Sequence, residues 1–226
     1  NTTYTLTSNV SSAGTCFTIN ATNVTLDCDG YLINYSQSAA GFAFMDHIGY
    51  NDTTAKNCVI RNEADDGDSS AFDFLRAVNV TILNNSVDIV SGTADYGVYF
   101  IDVSYSNISD NIFNTSASSG DGIQLAGGQS DNNTIFNNSF LLGGGASECV
   151  TTNSGGNLII GNICNTTHTG GVGFEFTGSN GESLINNSIR NTGFAAIEIT
   201  QASNTNISGN LFFGADFDVF FSNNTN

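Results

Sequence analysis

The chain has 226 residues, of which 39% are hydrophobic and 11% charged, and its formal net charge is −17 because only four residues are Lys or Arg. Nucleic acids and anionic membrane surfaces are bound through Lys and Arg, so this charge balance excludes both as partners. No apolar run approaches the roughly 18 residues of a membrane-spanning helix, so we expect no membrane insertion.

A short unit recurs along the chain. Copies read NVTILNNSV at 79–87, SNISDNIF at 106–113, NNTIFNNSF at 132–140 and TNISGNLF at 205–212. Each unit of about 25 residues also holds an apolar–x–apolar pair, which indicates a strand with one buried face. Proline is absent, as expected of a chain that is mostly interior strand. We therefore predict an all-β parallel solenoid of about eight coils in one domain over 1–226, with 1–28 as N-terminal strand and coil and 29–226 as repeated coils.

One asparagine recurs at the same place in successive units. The members of this set are Asn57, Asn85, Asn111, Asn138, Asn162, Asn187 and Asn210. Equivalent residues of a solenoid form columns, in which a buried Asn amide donates to one neighbour and accepts from the other. Asn also tolerates the left-handed backbone of a tight corner. The pattern predicts a structural Asn ladder, with a recognition site as the alternative.

Five cysteines are present, and an odd number leaves one thiol over in an exported protein. We predict a Cys16–Cys28 disulfide, which would join the first strand to the first turn. Cys149 and Cys164 form a second candidate pair. Cys164 also falls at an inward position, where a cysteine behaves as a small buried hydrophobe.

Sixteen N-x-S/T sequons occur, although a chain rich in Asn, Ser and Thr produces some by chance. We predict an extracellular or cell-surface protein that carries covalent N-glycans at several of them. The candidate sites are Asn9, Asn20, Asn34, Asn51, Asn79, Asn84, Asn107, Asn114, Asn132, Asn137, Asn165, Asn186, Asn206 and Asn223.

The repeat resembles that of right-handed parallel β-helices in pectate-lyase-like and NosD-like proteins. The shared pattern is I-x-x-N-x-φ followed by G-φ-x-φ, where φ is apolar, and it appears here in NISDNIF and DGIQL. Residues 4–33 resemble the opening of such domains in archaeal and bacterial surface proteins. The resemblance implies a right-handed solenoid, but it spans lyases, hydrolases, epimerases, adhesins and structural proteins, so it does not imply an activity.

Lyases of this fold combine calcium-binding Asp with an Arg or Lys base, and hydrolases combine clustered Asp with His and R-x-K. This chain has no R-x-K, and its DHIG stretch at 46–49 places His47 in what we expect to be a surface loop. The best catalytic candidates are Glu175 and Glu198, which should face outward on adjacent coils about 5 Å apart. Such a pair can act as nucleophile and general acid, or be two solvated carboxylates. We predict no enzymatic activity.

Four carboxylates cluster in NEADDGDSS at 62–70, where Asp65, Asp66 and Asp68 are candidate metal ligands. Dense oxygen ligands suit calcium, but the stretch lacks the spacing of a calcium hand, and a flexible acidic loop is the preferred interpretation. We therefore expect no cofactor, with calcium as the alternative.

These observations favour a non-catalytic extracellular glycoprotein: a surface filament, surface-layer or adhesin component. The last coil is rich in aromatic residues and shows no polar cap, which predicts self-association by end-to-end contacts. Two alternatives remain. One is a polysaccharide lyase or hydrolase, and the other is a carbohydrate-binding module in which Tyr96, Tyr99 and Tyr105 stack on sugars.

Overall fold

The computed structural model describes residues 2–63, 69–90, 95–116, 118–145, 147–168, 170–191 and 193–222. Within them, 27 strands form three parallel sheets of nine strands each, and no helix occurs. No helix in these ranges is therefore long and apolar enough to cross a membrane. The predicted all-β parallel solenoid of about eight coils is confirmed.

The strands follow one another through the three sheets in strict rotation. The first sheet contains β1 (Thr2–Thr5), β4 (Val24–Asp27), β7 (Thr54–Lys56), β10 (Thr81–Leu83), β13 (Asn107–Ser109), β16 (Thr134–Phe136), β19 (Leu158–Ile160), β22 (Ser183–Ile185) and β25 (Asn206–Ser208). The second contains β2 (Val10–Ser11), β5 (Leu32–Tyr35), β8 (Val59–Asn62), β11 (Ser86–Ile89), β14 (Ile112–Thr115), β17 (Ser139–Leu142), β20 (Ile163–Thr166), β23 (Ser188–Asn191) and β26 (Leu211–Phe213). The third contains β3 (Phe17–Thr18), β6 (Phe42–Asp46), β9 (Ser70–Leu75), β12 (Tyr96–Ile101), β15 (Ile123–Ala126), β18 (Val150–Thr152), β21 (Val172–Thr177), β24 (Ala195–Thr200) and β27 (Phe217–Ser222). We number the strand triplets as coils 1 to 9, beginning with β1–β3.

Stacked apolar columns fill the interior. Phe113 and Phe140 stack in the second sheet with ring centroids 5.2 Å apart, and Phe44 and Phe72 stack in the third at 5.1 Å. Some residues opposite these phenylalanine rings must be small. A Cβ on Gly122, for example, would lie 2.4 Å from the Phe140 ring. The core thus depends on complementary large and small residues across the solenoid.

Columns of left-handed residues turn the chain at its corners, and two of these columns flank the first sheet. The first corner, before the first sheet, holds Asn23, Asp52, Asn79, Tyr105, Asn132, Gly156, Gly181 and Asn204, all with positive φ. The second corner, between the first and second sheets, holds Asn57, Asn84, Asp110, Asn137, Gly161, Asn186 and Gly209, again with positive φ. Asn, Asp and Gly tolerate this conformation best. The left-handed residue therefore precedes the inward-facing ladder residue, which corrects our assignment of that conformation to the ladder itself.

The Asn ladder runs through six coils beside the second corner. Its members are Asn85, Asn111, Asn138, Asn162, Asn187 and Asn210. Each Nδ2 except that of Asn210 donates to the Oδ1 of the next member at 2.9–3.1 Å. Asn57 does not belong to the ladder, contrary to our prediction. It lies on the corner column, where its Oδ1 accepts from Asn84 Nδ2 at 2.8 Å, and Cys58 takes the ladder position. The error arose because Val59, paired with Ser86, faces outward and was taken for the inward residue.

The disulfides are Cys28–Cys58 and Cys149–Cys164, with Cα atoms 4.8 and 5.9 Å apart. The predicted Cys16–Cys28 pair is therefore wrong. Cys28 and Cys58 meet because they occupy the same corner on adjacent coils, whereas Cys16 precedes β3 and points its thiol toward the Asn34 carbonyl. Cys16 is free and half-buried, and burial raises the pKa of its thiol to about 11.

A second buried polar column follows the first corner. The Asn133 backbone N–H donates to Asn157 Oδ1 at 2.8 Å, and the Asn157 backbone and side chain donate to the two Glu182 carboxyl oxygens at 2.9 and 3.1 Å. Glu182 is fully buried, and burial raises its pKa to about 7 despite the Asn157 hydrogen bonds. This ladder therefore contains a titratable group, unlike the first one.

Candidate functional site

The outer surface of the third sheet concentrates the chain's chemically versatile side chains, and we call it the third-sheet face. Consecutive residues such as Ala71 and Phe72 both point into the core, so outward positions recur three residues apart. One outward column contains Asp73, Tyr99, Gln124, Thr151, Glu175, Glu198 and Phe220. The other contains Ser70, Tyr96, Asp121 and Glu148.

A carboxyl pair occupies the middle of this face. Asp121 accepts the backbone N–H of Glu148 at 3.1 Å, and the two side chains are hydrogen-bonded to each other. Burial raises the pKa of Glu148 far above its usual range, and the charges of Asp121 and Glu175 raise it further. Burial also raises the pKa of Asp121, against the hydrogen bonds from Glu148 that lower it. Because the pKa values of both carboxyls are raised, the pair favours holding one proton between them at neutral pH.

An open cavity of about 380 Å³ lies at the N-terminal end of the face. Tyr96 and Tyr99 line it, with their rings stacked at a centroid distance of 5.0 Å. His47 and Asp73 also line the cavity, with His47 Nε2 2.9 Å from Asp73 Oδ1, and Asp73 is paired with Tyr99 across β9 and β12. Burial raises the pKa of Asp73, while the His47 contact lowers it. The cavity thus offers an aromatic platform beside a polar pair.

The local sequence explains why His47 reaches this cavity. The Asp46 carboxylate accepts the backbone N–H groups of Ile48, Gly49 and Tyr50 at 2.7–3.0 Å, which fixes the loop that follows β6. The His47 ring then packs edge-on against Phe42 with centroids 5.5 Å apart. His47 does lie in a loop, as expected, but it contributes to a site that the sequence did not reveal.

The two glutamates singled out from the sequence are directly paired across β21 and β24. Glu175 accepts from the Thr177 hydroxyl at 3.0 Å, and Glu198 accepts from the Thr200 hydroxyl at 3.3 Å. These contacts orient both carboxylates on the third-sheet face, beyond the Asp121–Glu148 pair. They remain the catalytic candidates of the sequence, and the absence of enzymatic activity stays a prediction.

Other candidates fall elsewhere. Tyr105 lies on the first corner, away from Tyr96 and Tyr99. Asp65, Asp66 and Asp68 lie outside the described residues. Among the described ones, no three His, Cys, Asp or Glu side chains are arranged to hold a metal ion.

Our sequence analysis missed Asp121 and Glu148. The signal was present three residues before Gln124 and Thr151, but simple alternation assigns that position to the interior. In the structure, two consecutive residues before Gln124 and before Thr151 point inward. The position three residues earlier, which Asp121 and Glu148 occupy, therefore lies on the outer surface.

The described sequon asparagines differ in exposure. Asn9, Asn20, Asn79, Asn84, Asn114, Asn132, Asn137, Asn186 and Asn206 are exposed, whereas Asn34, Asn51, Asn107 and Asn165 are half-buried. Asn223 lies outside the described residues. Six sequons, including the one at Asn23, begin at left-handed corners, where the fold favours Asn followed two residues later by an outward Ser or Thr. Glycosylation of each remains a prediction.

A solenoid of three parallel sheets is the fold that defines the class of β-helix proteins. Residues 66–226 match the family described as right handed beta helix region. The match covers more than half of the chain, which therefore belongs to this family. No curated protein and no solved structure matches. The family includes both enzymes and non-enzymes.

Proposed function

We propose that this protein is an extracellular, non-catalytic β-helix protein that binds a polysaccharide along its third-sheet face. The stacked pair Tyr96–Tyr99, beside an open cavity, is the observation that carries the proposal. Sugar rings present apolar C–H surfaces, which pack against aromatic rings, and polar hydroxyls, which the neighbouring His47–Asp73 pair can bind. Two disulfides support an oxidising, extracellular compartment.

The shape of the face suits an extended ligand. Polar side chains continue from Asp73 in coil 3 to Glu198 in coil 8. Five strand spacings correspond to about 24 Å along the solenoid axis, which accommodates several sugar rings in line. A polysaccharide therefore fits this surface better than a compact small molecule.

Charge selects among polysaccharides. Glu175 and Glu198 lie side by side on the face, and the whole chain has a net charge of −17. This field repels acidic polymers such as pectin and alginate. The ligand class we propose is an uncharged or basic polysaccharide.

Binding should be measured by affinity electrophoresis against neutral, basic and acidic polysaccharides. Replacing either Tyr96 or Tyr99 with Ala should weaken binding about tenfold, because loss of one aromatic anchor commonly costs more than about 1 kcal/mol. Tyr105→Ala is the matched control, since Tyr105 is 65% exposed but lies on a corner. Equal binding by all three variants, or preference for acidic polymers, would refute the proposal.

Hydrolysis is a second candidate, favoured by the raised pKa of Glu148 and its contact with Asp121. A carboxyl group with a raised pKa is suited to protonate a glycosidic oxygen. The direct hydrogen bond places the two carboxyls closer than the about 5 Å of a retaining pair, so a separate group such as Glu175 would act as base or nucleophile. Release of reducing ends that Glu148→Gln abolishes would establish this activity, and binding without product release supports the non-catalytic proposal.

The surface role includes self-association, which also stays a prediction. Phe194, Phe217 and Phe220 form an aromatic cluster at coils 8 and 9, with centroids 4.7–5.5 Å apart, and Phe217 is 46% exposed. Exposed aromatic surface beside strand edges favours contacts with another chain. Light scattering and electron microscopy of the natural full-length protein would decide it, since a stable monomer at high concentration contradicts assembly.

A further inference from the structure

The outer surface of the second sheet, which we call the second-sheet face, carries an exposed apolar cluster. Ile112, Leu141 and Ile163 are 54%, 51% and 49% exposed and lie in the successive strands β14, β17 and β20. They are diagonal neighbours, since Ser139 lies between the two isoleucines in register, and long side chains at diagonal positions are within reach of one another. Two sequon asparagines border them, because β14 also contains Asn114 and β20 also contains Asn165.

The register places these asparagines on both sides of one leucine. Leu141 is paired with Asn114 on one neighbouring strand and with Asn165 on the other. Outward residues two apart share one face of a strand, so Ile112 lies beside Asn114 and Ile163 lies beside Asn165. The two sequons therefore stand about 10 Å apart, at two strand spacings, with the apolar cluster between and beside them.

These two asparagines lie in strands and not at the corners. Corner sequons follow from the left-handed conformation, whereas Asn114 and Asn165 occupy strand positions, where Asn is disfavoured. Of the other described strand sequons, Asn107 provides the contrast: its neighbours across the first sheet are Thr81 and Thr134. A role for the side chain itself accounts for a disfavoured residue on both sides of exposed Leu141.

We propose that Asn114 and Asn165 are N-glycosylated and that the attached saccharides cover the cluster of Ile112, Leu141 and Ile163. The donor is an oligosaccharide linked to a lipid diphosphate. Asn Nδ2 forms a bond to C1 of the sugar, the C1–O bond to the diphosphate breaks, the lipid diphosphate leaves and one amide proton passes to a base. The modified amide keeps one N–H, which suffices for the single 3.0 Å bond from Asn114 to Asp88.

The occupant follows from chemistry on this face. A saccharide stem presents apolar C–H groups toward a leucine and hydroxyl groups toward water, so it covers the cluster while leaving the surface hydrated. A second copy of the chain would bury the same residues but gives no reason for two sequons beside them. This inference shares with the proposed function only the export of the chain, and polysaccharide binding by the third-sheet face is not required for it.

Glycopeptide mass spectrometry of the protein purified from its own host tests the modification. Saccharides on Asn114 and Asn165 are the expected result. Cleavage after aromatic residues is preferable, because the chain has only four Lys and Arg residues. Unmodified Asn114 and Asn165 would overturn the proposal, and a dimer through this face would then identify a second copy as the occupant. If both asparagines carry saccharides but the protein binds no polysaccharide, the proposed function is refuted while this inference stands.

Covering is tested by the double variant Asn114→Gln/Asn165→Gln, produced in the same host. It should bind a hydrophobic fluorescent dye several-fold more strongly than the unaltered protein, and adding Leu141→Ser should reverse most of the increase. Asn107→Gln removes a strand sequon with polar neighbours and should leave dye binding unchanged. Circular dichroism checks that each variant folds. If the double variant binds no more dye than Asn107→Gln, the saccharides do not cover the cluster and the proposal fails.

Discussion

The backbone N–H of Cys58 donates to Oδ1 of Asn85 at 2.9 Å, so the Asn ladder begins directly on a disulfide. Cys58 accordingly occupies the ladder position of its coil while its sulfur joins Cys28 on the coil before. Each ladder amide except that of Asn210 is hydrogen-bonded to the next coil. At the N-terminal end of the ladder, the Cys28–Cys58 disulfide joins two adjacent coils in place of such a hydrogen bond. Stability of the N-terminal coils should therefore depend on both elements.

Replacing a central ladder residue should be costly. Asn138→Leu would leave the backbone N–H and Nδ2 of Asn111 and the carbonyl of Ile108 without their present partners. Each buried unpaired group costs about 1–3 kcal/mol, so we expect a loss of about 3 kcal/mol or more in the free energy of unfolding. Chemical denaturation measures it.

The control for that experiment is the exposed Asn20→Ser, expected to change stability by less than about 0.5 kcal/mol. Asn51 is a poor control, because its Oδ1 accepts the Val78 N–H at 2.8 Å. Similar denaturation midpoints for the Asn138 and Asn20 variants would show that the Asn ladder does not make the expected contribution to stability.

The Cys28–Cys58 link closes a segment with a sequence separation of 30. Cys58→Ser should lower the free energy of unfolding by about 3–4 kcal/mol, from the reduced entropy of the cross-linked unfolded chain. Cys16→Ser should have little effect, because Cys16 is free. Non-reducing peptide mapping should recover the 28–58 link, and a 16–28 link would show that the structure assigns the wrong pair.

The free thiol should also react slowly. Cys16 is half-buried and its pKa is raised to about 11, so little thiolate is present at neutral pH. One thiol per chain should label rapidly after unfolding without reductant, and far more slowly in the folded protein. Fast labelling of the folded protein at pH 7 would rule out this burial.

Glu182 should make stability depend on pH. Its folded-state pKa is about 7, raised from 4.5, so protonation favours the folded state. The resulting stability is fully present below pH 4.5 and is lost as the pH rises through about 7, to a total of about 3 kcal/mol. The Glu182→Asn variant keeps a side-chain oxygen that can accept a hydrogen bond from Asn157. Its free energy of unfolding should fall less than that of the unaltered protein between pH 4.5 and 8.5. Parallel curves for the two proteins would disprove this role.

The stability contributed by the Asp121–Glu148 pair should also fall as the pH rises, but at a higher pH than that of Glu182. Because the pKa of Glu148 is raised, its contribution is present below the ordinary value and is lost as the pH rises through the raised one. Glu148→Gln keeps a neutral donor to Asp121, so its melting temperature should fall less than that of the unaltered protein between pH 7 and pH 10. An unchanged pH profile would indicate that Glu148 is already ionised at neutral pH.

The fold class was predictable from the sequence because a solenoid repeats its physical requirements in every coil. Inward apolar residues, corner residues that tolerate positive φ and the recurring Asn each satisfy a local need, and short-range patterns record them. Six of the seven asparagines assigned from this pattern lie in the ladder. The outward position of Glu175 beside Glu198 also follows from the repeat alone.

The tertiary structure decided what depends on register between coils. A one-residue difference at the corner moved Asn57 out of the ladder and brought Cys58 to Cys28, because residues align by backbone pairing rather than by residue type. Two consecutive inward residues per third-sheet strand turned Asp121 and Glu148 outward and into contact. The sequence determined the coil, whereas the stacking of coils determined which side chains meet, since those partners lie some 25 residues apart along the chain.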